Sequence, residues 1–374
     1  MPRVRRTAAA LALLLATAAC TSGGDGDAPT PGNGTDGTGP ALLGTVDLDA
    51  AVDGDARLLD LAPDPGGNPV ALLADGGTRG WLVEVGPGDD GPAATPLLEV
   101  PAVGDDAELT VLPDGSFLVA STSPTTGYQL LTVPPDGQAT VIALGQRPDR
   151  AATALSPDGR TLYAALTLSA PGPAQLLAVD LAARVVRTTA PVVPAGTVTA
   201  LTPRPDGTLA ALVETGDGRA LLAGYDTNLR PVGEPLDLAP DAPVGVPADL
   251  DVTADGTVVA TVYVSEGRAL GRVVTVVDGA VTSSVELDGV GDSALDVLVS
   301  PDGGSAWVPQ ADLSFPAELV TLDLANGERA AAVSLCGGAG VLGDVAPVGE
   351  DDGLVATGSC IDGDGPQATA FLVG

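Results

Sequence analysis

The chain has 374 residues, 45% of them hydrophobic but only 2% aromatic, so any core has to be built from Val, Leu, Ala and Ile, which suits strands. Fifty Gly and 33 Pro spread along its length exclude long helices and fit many short strands joined by turns. The net charge of −33 repels phosphate backbones and argues against nucleic acid as a partner, and the absence of His and Lys removes Ser-His-Asp catalysis, the usual zinc and copper ligands and Schiff-base chemistry.

Residues 1–20 read as an export signal: basic Arg3, Arg5 and Arg6, an apolar run from Ala8 to Ala16 too short to span a bilayer, then Thr17-Ala18-Ala19-Cys20. Small residues directly before a cysteine resemble the lipobox of bacterial lipoproteins, which implies that Cys20 becomes the lipidated first residue of the mature chain. Thr17 stands where that motif usually carries Leu. Loss of the three arginines and no acids would take the net charge from −33 to −36. Such a surface serves solubility, and it also suits basic partners or divalent cations. Residues 21–41 are Gly, Pro, Thr, Asp and Asn with almost no apolar side chain, a composition that reads as a disordered tether. The expected localisation is the outer face of the cell membrane, with the lipid as the one anchor.

From residue 42 onward a single pattern recurs: an apolar stretch, a turn centred on Asp-Gly, and three further strand-sized stretches. The turn aspartates are Asp64, Asp114, Asp158, Asp206, Asp255, Asp302 and Asp351, at intervals of 44 to 50 residues. A period of that size with four strands per unit is that of propeller blades. In the turn itself Pro fixes φ, Asp bonds its own backbone and Gly accepts positive φ. Third strands are expected at 175–181, 271–277 and 318–324. Asp136-Gly137 falls at a later turn of the second unit and is not counted as an eighth. The seventh unit offers three strands, 340–347, 354–359 and 368–373, before the chain ends. An extra strand at 42–48 precedes the first unit, and pairing it as the outer strand of the last blade would close the ring without an open edge. The expected fold is therefore all-β, a seven-bladed β-propeller over 42–374. An open sandwich or two separate β domains is the alternative.

Ser156-Pro157-Asp158-Gly159-Arg160-Thr161-Leu162-Tyr163 and Leu177-Ala178-Val179-Asp180-Leu181-Ala182-Ala183-Arg184-Val185-Val186 resemble the two hairpins of the YVTN-type, WD40-like bacterial propeller repeat, and Ser300 to Trp307 with Val320 to Ala330 repeat the pair. The literal Tyr-Val-Thr-Asn signature is absent. The resemblance implies an exported propeller that commonly serves as a binding platform, and it names no substrate.

Cys336 and Cys360 fall in loops on the same face of such a propeller. A disulfide between them is expected in an exported protein, with a pair of reactive thiols as the alternative. Just ahead of the inner strands lie Asp55, Asp105, Asp106, Asp149 with Arg150, Asp249, Asp292 and Asp344. In a propeller these would ring the mouth of the central channel, where they either converge on a hard cation such as Ca²⁺ or merely cap turns. No complete calcium loop is present, and Asp362-Gly363-Asp364-Gly365 is only a fragment of one. No cofactor is expected beyond that Ca²⁺. The leading functional expectation is a monomeric, membrane-tethered module binding a protein, peptide or envelope component. A carboxylate- or metal-dependent hydrolase or lactonase-like enzyme is the second. Two Trp cannot supply the repeated tryptophan dockings of quinone-dependent propeller dehydrogenases.

Overall fold

A computed structural model of the chain describes residues 40–374 apart from 53–55, 65, 77–78, 89–90, 102, 105, 124, 136–137, 169–172, 266–268, 288–295, 313–314, 350–352 and 362–367. Cys20, Asp55, Asp105, Asp292, the Asp136-Gly137 and Asp351 turns and the segment from Asp362 to Gly365 lie outside the described residues. Among the described residues no helix is long and apolar enough to cross a membrane.

Seven antiparallel four-stranded sheets follow one another. Six are consecutive meanders. The seventh runs Leu42–Asp47, Thr369–Val373, Gly353–Cys360, Gly340–Val348, so the N-terminal strand is its outer member. Thr45 stands opposite Phe371 and Val46 opposite Ala370, and Ala41 and Gly374 exchange both main-chain hydrogen bonds at the end of the ladder. The expected closure and the third strands (Gln175–Asp180, Ala269–Val277 and Phe315–Asp323) are present, and the architecture is a seven-bladed β-propeller.

The Asp-Gly turns owe their recurrence to local chemistry. Asp158 Oδ1 accepts the Ser156 hydroxyl at 2.7 Å and the Arg160 N–H at 3.1 Å, and Asp302 Oδ1 accepts Ser300 and Gly304 at 2.6 and 3.0 Å. Gly159 and Gly303 follow with φ of 68° and 72°, where a side chain would be strained. In the first blade the left-handed residue is Gly67 and not Gly66. These aspartates are turn staples on the face opposite the outer-to-inner connections.

The core is divided among the seams. Each of the seven hydrophobic clusters found among the described residues lies between two neighbouring blades. The second strand of a blade reads as an unbroken apolar run because alternate residues serve different seams. In Pro69–Ala74, Val70, Leu72 and Ala74 pack toward the second blade while Ala71 and Leu73 pack toward the seventh. Val, Leu and Ala suffice because each wedge is thin.

Cys336 follows the outer strand of the sixth blade and Cys360 ends the second strand of the seventh. Their sulfurs are bonded at 2.05 Å with Cα atoms 5.6 Å apart, so the disulfide reading holds and the free-thiol reading does not.

Candidate functional site

The inner strands (Arg57–Pro63, Glu108–Val111, Pro148–Leu155, Gly196–Pro203, Gly245–Val252, Leu298–Val299, Gly340–Val348) have no strand beyond them. Their free edges leave main-chain N–H groups that must find partners. The chain supplies carboxylates, and each reaches one blade ahead. Asp60 Oδ1 accepts the N–H of its neighbour Leu61 at 2.8 Å, while Oδ2 accepts that of Leu109 in the second blade at 2.5 Å. Asp251 bonds Val252 at 2.7 Å and Val299 at 2.8 Å, and Asp296 bonds Val297 at 2.8 Å and Val345 at 2.7 Å. Asp249 accepts from Val297 at 3.2 Å, and Glu108 accepts the Thr153 hydroxyl at 2.6 Å. Two carboxyl pairs complete the belt, Asp249 with Asp296 and Asp344 with Asp60, the latter spanning the seam between the last blade and the first.

Backbone irregularity aims several of these groups. The pairing between the first two strands slips at Leu58/Asp60, Pro148/Arg150, Val198/Ala200, Pro247/Leu250 and Leu342/Val345. A β-bulge at this point leaves residues unpaired and turns a side chain toward the channel. Asp149, Thr199, Asp249 and Asp344 stand at these slips. The fully buried Thr261 fills the gap behind Asp249, accepting its N–H at 3.0 Å, and the equally buried Thr357 donates to the Asp344 carbonyl at 3.1 Å.

The carboxyls surround a cavity of about 580 Å³ lined among others by Asp60, Glu108, Arg150, Asp249, Asp296 and Asp344. Arg150, the cationic member of this lining, is exposed and lies 3.9 Å from Glu214. Removal from water pushes Asp60 up to about 7, helped by the charge on Asp296, and burial pushes Glu108 up to about 8. Burial and then neighbouring carboxylates hold Asp249 and Asp344 well above the usual range, and burial raises Asp251. The wall of the cavity thus carries neutral acids as well as charged ones near pH 7.

Of the residues expected at the mouth, Asp249 and Asp344 do face the channel together. Asp106 instead binds the N–H of Thr122 at 3.1 Å and also its hydroxyl, and Asp149 is exposed. Among the described residues no group of three His, Cys, Asp or Glu is arranged to hold a metal ion. Asp60, Glu108, Asp251 and Asp296 were not foreseen. A signal existed: Glu108, Asp249 and Asp296 each stand six residues ahead of the turn aspartate of their blade, flanked by apolar residues.

Where outer strands lead into inner ones, Val193, Val244 and Val341 are exposed by 48%, 41% and 48%. Main-chain bonds such as Gly245 N–H to Gly218 and Ile361 N–H to Ala339 tie these connections to the loops between second and third strands.

No family model matches the chain, and no curated protein does. Among solved structures it is similar to the hydrazine synthase of Kuenenia stuttgartiensis, with a TM-score of 0.61 at 16% identity, covering 83% of this chain and 95% of that one. It is also similar to TolB from Acinetobacter baumannii, with a TM-score of 0.48 at 18% identity over 73% of this chain and 62% of that one. At such identity the first likeness establishes the propeller fold and nothing about activity.

Proposed function

We propose that this chain is an extracytoplasmic lipoprotein, anchored through Cys20, whose propeller binds a basic protein or peptide segment at the acidic mouth of its channel. The observation that carries the reading is the cavity itself: five carboxyls and a single Arg line it, and exposed Val193, Val244 and Val341 lie where outer strands lead into the inner strands that form its wall. A field of one sign in a walled recess favours a cationic guest, and apolar contacts at the rim would supply the desolvated part of the interface. A hydrolase is the weaker reading, because Asp60 and Asp296 are each tied through both carboxyl oxygens to main-chain N–H groups of two blades and are not free to turn toward a substrate.

The test is photo-cross-linking in intact cells from positions Val244 and Val341. A partner joined through an Arg- or Lys-rich segment, lost on Asp106→Arg with Asp149→Arg, is the expected result. Capture indifferent to those charge reversals, or through a segment without basic residues, would overturn it. Fractionation tests the anchor separately: Cys20→Ala should leave the membrane fraction, and retention there would end the lipoprotein reading.

A further inference from the structure

We infer that the inner-strand carboxyls act as a shared proton store that fastens neighbouring blades together and discharges as the surroundings turn alkaline. This concerns the fold's response to pH and stands whether or not a basic segment is the partner.

The geometry begins with the two carboxyl pairs. Asp60, Glu108, Asp249, Asp296 and Asp344 share one cavity wall, with Asp344 against Asp60 and Asp249 against Asp296 across two seams, and two carboxyl groups so placed can hydrogen-bond to one another only while a proton remains between them. The groups facing each member are acidic on every packed element. Asp60 on the first blade faces Asp296 and Asp344 from the sixth and seventh, and its own charge acts on Glu108 of the second. Asp344 feels Asp60 and Asp296, Asp249 feels Asp296, and Glu108 feels Asp60 and Asp106. Tyr128, fully buried behind Glu108, is neutral. The cation of this wall is Arg150 at the rim, engaged with Glu214. With acid facing acid across four seams and one peripheral base, full ionisation at neutral pH would set several like charges side by side in a partly dry space.

The consequence is mechanical. Protonated, each pair is a bond across a seam. As the protons leave to water the pairs become repulsive contacts, and the channel wall gains one negative charge for each proton lost. A basic guest, if that reading is right, would then be held more tightly at higher pH.

The composition makes the proposal directly measurable. The chain contains no His and no Lys, and two of its three Cys are joined. Apart from the amino terminus and Cys20, no ordinary side chain titrates between about pH 6 and 9. The experiment takes the full chain carrying Cys20→Ser and measures with an indicator dye the protons released when guanidinium unfolds it at pH 7. Release of about two protons or more per chain is expected. Release indistinguishable from zero would overturn the proposal. Asp344→Asn, which cannot hold the proton, should lower the count by about one, while Asp158→Asn in an exposed turn should leave it unchanged. An unchanged count in Asp344→Asn would also overturn it. Should that variant fail to fold, the infrared carbonyl band of protonated carboxylic acid in the parent chain decides alone: present at pH 7 and lost toward pH 9 if the store exists, absent throughout if it does not.

Discussion

The carboxylate of Asp296 accepts the main-chain N–H of Val345 at 2.7 Å, joining the sixth blade to the seventh, 49 residues further along the chain. The repeat length is thus also the span of a hydrogen bond. Asp296→Ala would leave the N–H of Val345 without its acceptor at a half-buried site and leave Val297 only the longer bond to Asp249 at 3.2 Å, a cost of about 1–3 kcal/mol for the one orphan. Asp296→Asn keeps an acceptor and should lose less than half as much. Urea denaturation of the two variants beside the parent chain measures both.

Thr261 and Thr357 plug the bulges behind Asp249 and Asp344. Val in either position preserves shape but removes the hydroxyl, leaving a main-chain polar group unmet in the interior. Each substitution should cost about 1–2 kcal/mol in the same assay, whereas Thr208→Val in an exposed turn should cost less.

The disulfide between Cys336 and Cys360 closes a loop with a sequence separation of 24 residues across the last seam. Loop entropy places its contribution at roughly 3 kcal/mol. The double variant Cys336→Ser, Cys360→Ser should melt several degrees lower by calorimetry, and reductant should bring the parent chain to the same midpoint.

Stability should fall as pH rises through the neutral range. Asp60, Glu108, Asp249 and Asp344 bind protons more tightly folded than unfolded, so their contribution is complete below about pH 4 and is lost as pH climbs through about 7 for Asp60 and about 8 for Glu108. The turn aspartates Asp158, Asp206, Asp255 and Asp302, whose hydroxyl and main-chain donors lower them, act in the opposite sense. Their contribution is present above about pH 4 and disappears in stronger acid. The denaturation midpoint is therefore expected to be highest near pH 5 and visibly lower at pH 8.5. A midpoint that rises between those values would contradict this.

The wheel was legible because its signals are local: Asp-Gly turns recur at one spacing, and strand-sized apolar runs lie between them. The closure was legible by elimination, since the seventh unit lacked a strand and 42–48 offered one. The channel was read less well. The sequence pattern points to Asp249 and Asp344 as lying ahead of inner strands, whereas the structure puts both inside them, as it does Asp60 and Asp251. Strand alternation alone does not say which face of an inner strand meets the channel, and a bulge shifts that alternation by a residue. The partner of each carboxyl lies a whole repeat away, a relation that exists only once the ring is closed. Asp106 shows the converse: it sits at the right place in the sequence but is drawn away by Thr122.

The joint between the two ends of the chain has a further consequence. Asp49 meets the N–H of Ala368, 319 residues later, at 3.3 Å, so the strand Leu42–Asp47 has nowhere to dock until Thr369–Val373 has been made. Assembly of the wheel cannot finish before that strand is available, and a truncation removing it would leave residues 42–47 without a partner as well.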